Sequence, residues 1–393
     1  MRPGRLAGLT VAATGLWLGT LTLPLAGQGA NAGAPSLVIT AYNGGSPIPY
    51  TVPRTPWGEP DLQGTWSSDD ATMPLNRPEG QTDLYLSEAE FKKRQMDIAA
   101  GIKRNEEDAT STFRNDFARR AFRQTSLVVD PPDGRVPQTT AEARKRAAPR
   151  DRGTFGDGPF DSYTDFTLYD RCITRGIVGS TLRVIYGNGN RIVQAPGMVA
   201  ISYEMIHDTR VIYTDGRPHP GGGIRQYLGS SRGRWEGDEL VVETTNLTDE
   251  TSIGLNGNGL RHSDRMRLTE RFKRVAPDVV QYQVTVDDPV TYPRPFTISL
   301  PLTPLDGVVI LPYDCHEGNL AIRQSLGAER AEDAALAADL AKGIKRARRP
   351  IQDNPVQGGG GRGRGRGTGA GAGGAGGRGG APAPAPPEGD QER

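Results

Sequence analysis

Three histidines stand in settings that suit proton transfer: His207 in Met205-Ile-His-Asp-Thr-Arg210, His219 in Arg217-Pro-His-Pro-Gly-Gly-Gly223, and His316 in Cys315-His-Glu-Gly-Asn319. Imidazole is the common side chain that exchanges protons near neutral pH, so each is a candidate general acid or base. His207 leads, with Asp208 and Arg210 beside it as assistants. The plainer reading is a structural histidine followed by an Asp208–Arg210 ion pair at a strand end. His219 lies on a loop stiffened by prolines and freed by glycines, which suits either a pocket rim or ordinary surface. His316 and Glu317 can act as a base and its partner, or can cap the helix that follows. His207, His219, His316 and Glu317 together have the chemistry of a zinc set. No His-x-x-x-His or Cys-x-x-Cys spacing supports such a set, and neither a metal nor a cofactor is expected. Asp287 and Asp288 read as paired carboxylates for glycosidic chemistry or as an Asp-Asp-Pro turn. The chain has no nucleophile elbow, phosphate loop or dinucleotide fingerprint.

The elements that must position these groups are mostly strands. If one strand register runs from 199 to 213, Tyr203, Met205, His207, Thr209, Val211 and Tyr213 share a face, and Glu204, Ile206, Asp208 and Arg210 share the other. Both faces then mix apolar and titratable side chains, which suits a partly polar pocket lined by Tyr203, Met205, Tyr213, Trp235, Tyr313 and Asn319. Short β-branched runs with turn residues between them continue from 181 to 312. The expected hairpins are 183–186 with 191–194 across Gly187-Asn-Gly-Asn190, 227–235 with 240–246 across Glu236-Gly-Asp238, and 266–275 with 279–287 across Pro277-Asp278. Strands at 199–207, 210–214, 297–302 and 308–311, and one around Trp66, make about nine antiparallel strands, enough to close a barrel.

Helices frame this β region. Ser87-Glu-Ala-Glu90 has the spacing of a capping box and predicts a helix over 87–104. A second is expected over 112–123, so that 67–165 forms a helical and loop insertion. An Ala- and Leu-rich helix is expected over 319–348.

Arg2 and Arg5, the apolar run 6–25 and the small residues after it have the layout of an export signal over 1–32, followed by an extended lead-in over 33–60. The protein is therefore expected in the periplasm or outside the cell, without a stable membrane span. With 47 basic and 46 acidic side chains, no overall field argues for nucleic acid. Cys172 and Cys315 are expected to form a disulfide in an oxidising compartment, with two free thiols as the alternative. The Gly/Arg- and Ala/Pro-rich stretch 351–393 reads as a disordered tail whose basic character allows contact with the cell envelope.

Six blocks together resemble a family of secreted bacterial proteins of uncharacterised activity. They are Arg54-Thr-Pro-Trp-Gly-Glu-Pro-Asp-Leu-Gln-Gly-Thr-Trp66, Asp130-Pro-Pro-Asp-Gly-Arg135, Arg171-Cys-Ile-Thr-Arg-Gly176, Met205 to Arg210, Gly233-Arg-Trp-Glu-Gly-Asp238 and Cys315 to Asn319. Gly64-Thr-Trp66 also resembles the first-strand Gly-x-Trp of lipocalin-like barrels. The expected fold is thus mainly β: an antiparallel, up-and-down, lipocalin-like barrel over 61–350 with an N-terminal helical insertion and a C-terminal helix. The leading expectation is an exported barrel that binds a small, partly apolar organic ligand in its interior. The alternatives are a cofactor-independent lyase, isomerase or hydrolase that uses a pocket histidine as base, and an envelope-associated structural protein.

Overall fold

The computed structural model describes residues 49–107, 118–147, 160–184, 186–254, 260–305, 307 and 309–348. The expected export signal, the first part of the lead-in and the tail lie outside them.

The chain is mainly β. Nine strands close a barrel in the order β1 (Gly64–Ser67), β3 (Gly189–Ala195), β4 (Met198–Tyr203), β5 (Thr209–Tyr213), β6 (Ser230–Glu236), β7 (Glu239–Thr245), β10 (Arg267–Ala276), β11 (Val279–Asp287) and β12 (Phe296–Pro304), with β12 pairing back to β1. The short β2 (Val128–Asp130), from the insertion, adds to β12. The β6–β7 and β10–β11 hairpins form where turn residues interrupt alternating β-branched runs, at Glu236 to Glu239 and at Pro277-Asp278. Pro301 sits inside β12 without loss of a ladder bond. The Ser299 amide, on the same edge, donates to Leu127 O, and by Pro301 that edge has left β2 and has not yet reached β1.

One junction is parallel: β5 meets β6 through Ile212↔Ser231 and Tyr213↔Arg232, after the crossover loop 214–229. Gly233 allows this approach, since a Cβ there would stand 2.8 Å from Ile212 Cγ2. The described residues of the expected 183–186 strand, 183, 184 and 186, are not in a strand. The Gly187-Asn-Gly-Asn190 stretch instead leads into β3, whose hairpin partner is β4 across Pro196-Gly197. No strand forms over 309–311.

The inner face is filled by side chains. Val242, Val284, Ile298 and Leu300 are wholly inaccessible to solvent, which leaves no water-sized space against them. The interior is nevertheless partly polar. Arg210 donates to both carboxylate oxygens of Glu270 at 2.6 and 2.7 Å, and Tyr282 Oη donates to the same carboxylate at 2.9 Å. Ser231 and Thr244 share a hydrogen bond beside them.

The insertion carries α1 (Glu88–Glu107) and α2 (Ala141–Ala147). The capping box is present, with Ser87 N donating to Glu90 Oε2 and Glu90 N donating to Ser87 Oγ. Arg94 ties α1 to the Phe122 and Gln124 carbonyls, and residues 118–123 are not helical. A short α3 (Ile177–Thr181) and the C-terminal α4 (Ala321–Ala341) complete the helices among the described residues. None of these helices is long and apolar enough to cross a membrane.

Candidate functional site

Strand β4 stops at Tyr203, and the chain does not run straight into β5. It makes a tight turn over Met205–His207 in which Ile206 (φ 62°) and His207 (φ 49°) both adopt left-handed backbone. A β-branched residue in that region is strained and persists only where its surroundings hold it. Glu204 supplies part of the hold, since its amide donates to Gly189 O and its carboxylate accepts from Gly189 N at 2.9 Å. Met205 and Ile206 are buried beneath the turn, while His207 is exposed. His207 Nδ1 lies 2.9 Å from Tyr313 O. A carbonyl only accepts, so Nδ1 carries the hydrogen and a neutral ring has its lone pair on Nε2. That nitrogen meets no protein partner among the described residues.

Two further blocks converge here. The Cys172–Cys315 disulfide joins positions 143 residues apart, confirming the expected bridge. Asn319 Nδ2 donates to Asp170 O at 3.1 Å and lies 3.3 Å from Cys172 Sγ. Cys172 is itself left-handed, so three of the four non-glycine residues with positive φ among the described residues, Cys172, Ile206 and His207, gather at one place; Asn246 is the other.

Tyr169, whose hydroxyl points at Met205 Sδ, clusters with Tyr186, Tyr313 and the buried Arg175, which stacks 5.7 Å over the Tyr169 ring. Burial pushes the Tyr169 hydroxyl up and the Tyr313 hydroxyl up to about 12, and lowers Arg175 to about 10. At neutral pH Tyr169 and Tyr313 are therefore neutral phenols beside a charged guanidinium. Asp208 is half-buried. Burial raises its carboxyl, against the opposing effects of a hydrogen bond with Thr174 and the nearby His207, and its Oδ2 has no partner among the described residues. A fixed imidazole with a free acceptor beside a carboxyl and phenols can hold a polar organic group or take a proton from one.

The other expected site residues are placed elsewhere. The turn after Tyr203 breaks the 199–213 register, so Tyr203 and Arg210 both face the barrel interior. Arg210 pairs with Glu270 and not with Asp208. Tyr213 has the guanidiniums of Arg217 and Arg232 over its ring, at 3.8 and 5.4 Å from the centroid. Trp235 is half-buried opposite Leu240. His219 follows the far end of β5 from His207 and bonds to Ser230 Oγ. His316 and Glu317 are exposed, and neither side chain makes a contact that joins them as a base and partner. No metal-binding group of three His, Cys, Asp or Glu side chains forms among the described residues. Asp288 is structural: burial works to raise its carboxyl, but hydrogen bonds from Ser263 and Thr291 outweigh that and lower it.

His262 stands in no motif and gave no signal in the sequence. It is buried, with Nδ1 donating to Ser263 O and Nε2 accepting from Thr251 Oγ1 at 2.7 Å. Burial lowers its pKa below the usual value near 6.5. On acidification below about 6.5 the unfolded chain takes up a proton that the folded ring refuses, so stability falls until the folded pKa is reached. The urea midpoint is expected to drop between about pH 7 and 5, and His262→Gln should flatten that drop. An equally steep drop in the variant would contradict this assignment.

No family model, curated protein or solved structure matches the chain. Its function is therefore argued from the geometry.

Proposed function

We propose that this is an exported protein whose barrel is a rigid scaffold and whose ligand, a small organic molecule with hydrogen-bonding groups, is held at the surface around His207. The observation that carries the reading is the convergence of strained backbone and the disulfide with the unpartnered Asp208 Oδ2 and His207 Nε2, where the blocks 171–176, 205–210 and 315–319 meet. Strained backbone held in place by its surroundings is where function concentrates. The filled inner face argues against the barrel interior as the binding place, because a ligand there would have to displace close-packed side chains. A disulfide, with no membrane-crossing helix among the described residues, fits a periplasmic or extracellular protein.

A second reading, an enzyme in which His207 Nε2 acts as a general base, is favoured by the fixed tautomer and by the half-buried carboxyl of Asp208. Native mass spectrometry on protein exported by its own cells tests the proposal. Wild-type protein is expected to carry an organic mass that His207→Ala loses while keeping its melting temperature. Retention of that mass by the variant would remove His207 from the site. A wild-type mass that changes on incubation, with no change in His207→Ala, would favour the enzyme.

A further inference from the structure

We infer that the cleft between α2 and the segment 164–171 is a second binding site, and that it takes an organic anion: an oxyanion head held by Arg146 and Arg171 on an apolar body. The cleft has a volume of about 660 Å³ and is distinct from the His207 site. Ala143, Phe166, Leu168 and Leu260 make its apolar wall, and Phe166 is stiffened by stacking on Phe160 at 4.5 Å. Such a wall suits a flat or aliphatic body. Four arginines also line it: Arg261, and three on the α2 and 164–171 walls, Arg144, Arg146 and Arg171.

None of the three forms an ion pair with a carboxylate among the described residues. Arg146 gives one Nη to Thr291 Oγ1 at 2.9 Å, but its Nε is buried with no hydrogen-bond partner among the described residues. Arg171 has its guanidinium 5.1 Å over the Tyr163 ring, a stacked position that leaves its edge donors free to meet an oxyanion. Arg144, on the exposed side of α2, bonds to Thr139 O.

Three carboxylates, Asp165, Asp249 and Glu250, line the cleft as well, one fewer than its arginines, so the lining keeps a positive excess. Asp165 already accepts the amides of Asp161 and Ser162 at 2.8 Å. Asp249 and Arg261 have interactions of their own, and Glu250 is exposed at the rim. His262, at the cleft floor, spends both ring nitrogens on Thr251 and Ser263 and adds no free donor. The planar forks of guanidiniums match carboxylate, sulfate and phosphate alike. The hydroxyls of Thr164 and Thr291 can add neutral hydrogen bonds to the same head group.

Calorimetric titration of the full chain with benzoate, phenyl sulfate and phenyl phosphate, against neutral benzamide, tests the assignment. At least one anion should bind saturably and more tightly than benzamide by about tenfold or more, and added salt should weaken it. Arg146→Gln combined with Arg171→Gln should weaken that anion by about tenfold or more, while His207→Ala leaves it unchanged. Should the double variant fail to fold, Arg171→Gln alone is expected to weaken the anion a few-fold. No saturable anion binding, equal binding of benzamide, or arginine variants that bind as wild type would each overturn the proposal. Loss of binding in His207→Ala would also overturn it, by placing the anion at the other site.

Discussion

Replacing Glu270 with Ala should lower the unfolding free energy by about 3–5 kcal/mol, because it leaves the Arg210 guanidinium buried in the barrel with no counter-charge. Arg210 and Glu270 are almost wholly inaccessible to solvent and are joined by two hydrogen bonds, and Tyr282 adds a third to the carboxylate. Glu270 and the nearby phenols hold Arg210 firmly protonated, against burial that pushes the other way. The pair as a whole is a different matter. Desolvating two charges costs about as much as their attraction returns, so Arg210→Met with Glu270→Leu is expected to be close to neutral or stabilising. Urea denaturation of wild type, single variant and double variant separates the two effects. A Glu270→Ala variant as stable as wild type would mean that water or another group reaches Arg210, and would contradict the filled interior.

Removal of the disulfide by Cys172→Ala with Cys315→Ala should cost roughly 2–5 kcal/mol, near the upper end if the chain-entropy account holds for a loop this long. The bridge spans 143 residues and is the covalent link between the 171–176 and 315–319 blocks. Its loss should also loosen the His207 site before the barrel, because the nine barrel strands close without it whereas the Tyr313 carbonyl that orients His207 is held two residues from Cys315. Hydrogen exchange is expected to rise first over 204–209 and 313–319. A uniform rise across the barrel strands would show that the bridge supports the whole fold and not this site.

How much of this was legible in the sequence depends on the range of the interactions. The β6–β7 and β10–β11 hairpins and the α1 capping box follow from local alternation and turn chemistry, and they stand where those signals place them. The 199–207 strand ends early, at Tyr203: Ile206 is β-branched and extends the strand pattern, yet it and His207 take left-handed backbone. The Gly187-Asn-Gly-Asn190 stretch offered a turn, but the described residues 183, 184 and 186 are not in a strand, and Pro196-Gly197 makes the hairpin instead. The parallel β5–β6 junction and the Arg210–Glu270 pair depend on contacts across the barrel, which no local pattern encodes. The same holds for the site. The disulfide was readable from two cysteines and an N-terminal stretch with the layout of an export signal, and His207 from its chemistry. Tyr169, Tyr186 and Arg175 beside it, and His262 with the arginine cleft, become visible only once distant segments meet.

The central claim is that the ligand binds on the barrel's surface around His207 and not within it. Heteronuclear NMR of the protein, dialysed and then exposed to the small-molecule extract of its own cell envelope, tests this most directly. The account predicts that shifts concentrate in 169–175, 204–209 and 313–319, with the His207 Nε2 resonance among the largest. Shifts centred on the inner-face residues Val242, Val284 and Ile298, with the His207 ring unmoved, would contradict it and return the ligand to the barrel interior.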